Sequence, residues 1–82
     1  MNKLQTLHDL YIELIGCHYR YKRFNEVKLT EFTRGGERWV AVHMNGATAI
    51  NYTVVCEFEM PESEWDVEIA RLRSRIYHHK NK

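Results

Sequence analysis

Between Ile50 and Met60 the chain alternates. Ile50, Tyr52, Val54, Cys56, Phe58 and Met60 occupy one set of positions, and Asn51, Thr53, Val55, Glu57 and Glu59 the other. A period of two means a long β-strand with one buried face, because successive side chains point to opposite sides of a sheet. Just upstream, Asn45-Gly46 is the strongest short hairpin signal in the chain, since a type I′ turn needs positive φ at both central residues. A two-residue loop there sets Met44 against Ala47, Ala41 against Ile50 and Trp39 against Tyr52. Trp39 and Ala41 then share the face of Tyr52, Val54, Cys56 and Phe58.

A further strand before this pair, about 27–33, is expected to join through Arg34-Gly35-Gly36-Glu37. Val27 and Leu29 fall on one face and Phe32 on the other, which a bulge near the glycines would reconcile. On either side of the sheet the period changes to that of a helix. Leu4, Leu7, Leu10, Tyr11, Leu14 and Ile15 form a stripe beginning near Asn2 or Thr6, each a suitable N-cap. Gly16 is a natural stop, but the spacing continues through His18 to Tyr21. Downstream, Pro61 ends the long strand, and Trp65, Ile69, Leu72 and Ile76 recur at helical spacing. Acidic residues crowd the first half of that segment and arginines the second, as the helix dipole favours.

The expected architecture is α+β, a two-layer α-β-β-β-α domain with a three-stranded antiparallel meander covered on one face by two helices. The bounds are a helix at about 3–16 or to 24, strands at about 27–33, 38–44 and 47–60, and a helix at about 62–78. The 82 residues allow one domain, because a split would leave pieces too small to bury a core. No apolar stretch approaches the roughly 20 residues of a membrane span. Gln5, His8, Asp9 and Glu13 interrupt any apolar leader, so a cytoplasmic protein is expected.

On this register the outer sheet face carries Val40, Val42, Met44, Ala49 and Val55 with Phe32, where an open antiparallel sheet normally shows polar residues. An exposed apolar face marks a contact surface, so Val40, Val42, Val55 and Phe32 are read as the interface of a homodimer or a partner protein. Tyr19, Tyr21 and Phe24 supply a second contact, because tyrosine and arginine often carry interface energy. The same run, His18-Tyr19-Arg20-Tyr21-Lys22-Arg23-Phe24, interleaves basic and aromatic side chains. With Arg71 and Arg75 on one helix face, Arg20, Lys22 and Arg23 form the alternative reading, a nucleic-acid surface for RNA or DNA. The charges of the whole chain nearly cancel, 12 Lys+Arg against 11 Asp+Glu, so it is no polycation.

Catalysis and cofactors find little support. The Cys17-His18 and His78-His79 doublets are adjacent pairs, which point apart on a helix and do not chelate readily, so no metal or other cofactor is expected. No nucleophile elbow, phosphate loop or defined carboxylate pair is present, so the chain is expected not to be an enzyme. The helix–three strands–helix order is shared with double-stranded-RNA-binding domains. Those domains open their last helix with lysines, where this chain has Glu62, Glu64, Asp66 and Glu68. In size and style alone the chain resembles the small inhibitors encoded by phages and mobile elements, anti-CRISPR proteins among them. That resemblance implies a non-enzymatic protein acting by protein–protein contact, with no cofactor.

Overall fold

The structure, a computed structural model, describes residues 2–18, 25–47 and 51–81. Helix α1 (Lys3–His18) is followed by strands β1 (Glu26–Arg34), β2 (Glu37–Ala47) and β3 (Tyr52–Pro61). A single 3-10 turn (Glu62–Glu64) then leads into helix α2 (Trp65–Lys80). The strands form one antiparallel sheet in the order β1-β2-β3, and both helices lie on the same face, giving the expected two-layer α+β fold.

Helix α1 starts at Asn2, whose Oδ1 accepts the Leu4 backbone N–H at 2.9 Å and so satisfies one otherwise unpartnered donor of the first turn. It crosses Gly16, at a propensity cost of about 1 kcal/mol against alanine that packing of the adjacent Leu14 and Ile15 offsets. The segment 19–24, where the helical spacing was ambiguous, lies outside the described residues. Helix α2 buries Trp65, Ile69, Leu72 and Ile76, the stripe that the spacing predicts.

The sheet corrects the expected register. The type I′ loop sits at Gly35-Gly36, with φ of 60° and 77°, and closes Arg34 against Glu37. Both positions need the left-handed region, which only glycine enters without cost. Asn45 and Gly46 instead lie inside β2 and have no positive φ, so they make no turn. β1 and β2 pair without a bulge, and Val27 and Leu29 face inward while Phe32 faces outward without one. The bulge occurs one strand later, where Met44 pairs with Cys56 but Asn45 pairs with Val54, leaving Val55 as the extra residue.

Because β2 runs past Asn45-Gly46, it meets β3 in a different frame: Val42 opposes Phe58 and Val40 opposes Met60. The slip is odd, and an odd slip exchanges the faces of a strand. Val40 and Val42 are therefore fully buried at 0% exposure, with Met44, under the two helices. Trp39 and Ala41 point the other way. The core is aliphatic in the sheet and closed by Leu7, Tyr11, Leu14 and Ile15 of α1 and by the α2 stripe.

Candidate functional site

Exchange of the β2 faces moves the candidate contact surface. Val40 and Val42, expected on an exposed outer face, are core residues and offer nothing to a partner. The face they leave is polar and internally paired, as an open antiparallel sheet face usually is. Phe32 stacks on Trp39, directly opposite it, with ring centroids 6.3 Å apart. The Arg34 guanidinium lies 5.1 Å and 5.0 Å from the two rings and donates to both oxygens of Glu59 at 3.3 Å. His43 lies 3.3 Å from Glu57 beyond the small side chain of Ala41. Of the residues expected in an interface, Phe32 lies on this face and Val55 on the other. Tyr19, Tyr21 and Phe24 lie outside the described residues.

The apolar surface that remains open runs along β3. Helix α1 packs across β1 and β2, and α2 packs against α1, which leaves a groove between α2 and the edge strand. One half, about 240 Å³, is lined by Val55, Cys56 and Phe58 of β3, by Leu14 and Ile15 of α1, and by Leu72 and Arg75 of α2. The other half, about 570 Å³ and more open, continues past Met60, Glu64 and Val67. The bulge explains why Val55 and Cys56, neighbours in sequence, both line the groove, since an extra residue re-aims the side chains around it. Val54, Val55 and Val67 are 59%, 39% and 70% exposed.

A buried polar network forms the groove floor. Glu68, 8% exposed, accepts two hydrogen bonds from Arg71, at 2.7 Å and 2.9 Å, and one from the Tyr11 hydroxyl. Burial alone would raise the Glu68 carboxyl, but the Arg71 and Tyr11 hydrogen bonds outweigh it and hold it below the usual carboxylate range. Burial, and then the hydrogen bond to Glu68, push the Tyr11 hydroxyl far up. The network is thus a charged, fully satisfied strut between the helices, with no proton to exchange near neutral pH. Cys56 sits beside it. Burial and the Glu68 charge raise its thiol, the opposite of what a nucleophile needs.

The basic candidates are divided. Arg71 is committed to Glu68, while Arg75 is exposed at one end of the groove and makes no ion pair among the described residues. Arg20, Lys22 and Arg23 lie outside the described residues. The two histidine-bearing doublets meet in part, with the His18 and His79 rings edge to face at 4.4 Å. Among the described residues, no cluster of three or more His, Cys, Asp or Glu is placed to hold a metal ion, and no helix is long and apolar enough to cross a membrane. The sequence carries a hint of this exposed apolar flank: Val54-Val55 breaks the alternation of β3 with two consecutive valines. Compared with protein-family models, with curated proteins and with solved structures, the chain has no match.

Proposed function

We propose that this is a non-enzymatic binding protein that acts by protein–protein contact, in the manner of a small inhibitor, and that its contact surface is the flank formed by β3 and α2. The observation that carries the reading is the edge of β3. Among the described residues no strand pairs with it, and the half around Val54 and Val55 is apolar and exposed beside an apolar groove. An open strand edge is a template for another chain, its main-chain groups giving affinity and the adjoining groove giving specificity. Natural proteins normally guard such an edge with charge, and the Val54–Cys56 stretch has none. The raised Cys56 thiol and the closed Tyr11–Glu68–Arg71 network support a binding role over a catalytic one.

A photo-crosslinking amino acid placed at Val55, in the protein expressed in its own host, tests the reading. It is expected to capture a polypeptide, including a second copy of the chain, while the same group at Glu37 in the β1–β2 turn captures little. Capture of nucleic acid from Val55, or equal capture from both positions, would replace protein contact with the nucleic-acid reading or with no specific surface.

A further inference from the structure

We propose that the flank is completed by a second copy of this chain, whose β3 lies antiparallel beside the first across a two-fold axis. The inference rests on the protein-contact reading above and names its occupant. The two edges of the sheet are treated differently. β1 carries Lys28, Glu31 and Arg34, and one of its carbonyls, that of Val27, accepts a hydrogen bond from His8 Nε2 at 3.0 Å. Charge and a capping side chain are the usual guards against edge pairing. Among the described residues the Val54–Cys56 stretch of β3 carries no charge and shows no such cap; it holds the bulge at Val55 instead, and Glu57 and Glu59 follow it.

The groove is also polar along its length. Arg75 and His18 stand at its Val55 end, Glu64 at its Met60 end, and Cys56, Phe58 and Arg71 line both halves. A two-fold axis through that shared middle reverses the direction of the groove. The basic end of one copy then meets the acidic end of the other, and the match is made twice. A second copy has this complementary polarity by symmetry, whereas an unrelated segment would need it by coincidence. The two-fold also keeps all four helices on one side of a continuous six-stranded sheet.

Sedimentation over a range of concentrations tests the inference. The wild-type protein is expected to reach twice its 9.9 kDa chain mass. Arg75→Glu and Glu64→Arg, both at exposed positions, should each raise the dimer dissociation constant about tenfold or more, with unchanged circular dichroism. The double variant Arg75→Glu/Glu64→Arg should restore dimerisation, because each reversed charge again faces its opposite. A monomer up to about 1 mM would overturn the proposal. So would a dimer indifferent to both single changes, or a double variant that stays weak. If crosslinking from Val55 captures a different polypeptide while the chain remains monomeric, the second copy is excluded and the protein-contact reading stands. If neither dimer nor polypeptide is found, both fall.

Discussion

Val42→Asp is expected to abolish folding. Val42 lies in the middle strand at 0% exposure, flanked across the sheet by Leu29 and Phe58 and covered by the helices. A carboxylate there has no donor to meet it, and an isolated charge in an apolar interior either forces its own protonation or forces the chain open. The loss should exceed about 4 kcal/mol, a large share of the stability of a small domain. Loss of the cooperative thermal transition by circular dichroism, together with collapse of amide dispersion by nuclear magnetic resonance, is the expected result. The sequence reading makes the opposite prediction for the same variant: on an outward-facing Val42, aspartate would only loosen an interface and leave a folded monomer. A folded Val42→Asp protein would therefore return β2 to the reversed frame and remove the present core.

Trp65→Ala is the second large effect. Trp65 is 1% exposed where β3 gives way to α2, and its indole N–H donates to the Met60 carbonyl at 3.4 Å. The Arg38 guanidinium lies 5.2 Å from its ring and is held by Glu31 and Glu62. Truncation leaves an indole-sized void and removes that hydrogen bond, at a cost of about 3–5 kcal/mol. Chemical denaturation should show no folded baseline, or a midpoint near zero denaturant. Trp65→Phe keeps most of the volume and loses only the N–H, so it should remain folded with a lower midpoint. An alanine variant with a wild-type midpoint would mean that α2 does not pack through this residue.

Both helices were legible because their apolar residues recur at the helical period, and a stripe of four or more leaves little freedom in which side faces the core. The inward set Cys56, Phe58 and Met60 was equally legible from alternation. The frame of β2 was not. It depended on one dipeptide, and Asn45-Gly46 can occupy a strand as well as a turn when the chain pairs beyond it. The signal that separates the two outcomes is chemical rather than periodic. Val40, Val42 and Met44 form a more apolar set than Trp39, Ala41 and His43, and a sheet covered on one face buries the more apolar set. The Gly35-Gly36 pair carried the real type I′ turn. The candidate site suffered from the same slip: Val55 is exposed, though on the groove side and not the outer face, while Val40 and Val42 belong to the core, and the groove depends on the bulge and on where α2 comes to rest. Neither is written in a period.

Amide hydrogen exchange along β3 tests the central claim most directly. In a monomer, the β3 amides that point away from β2 are open to water and exchange quickly, whereas a second β3 paired against them protects alternate residues between Val54 and Glu59. The account predicts that this alternate protection grows with protein concentration and is lost in Arg75→Glu, while protection between β1 and β2 stays unchanged. Outward amides of β3 that exchange at unprotected rates at every concentration would contradict it.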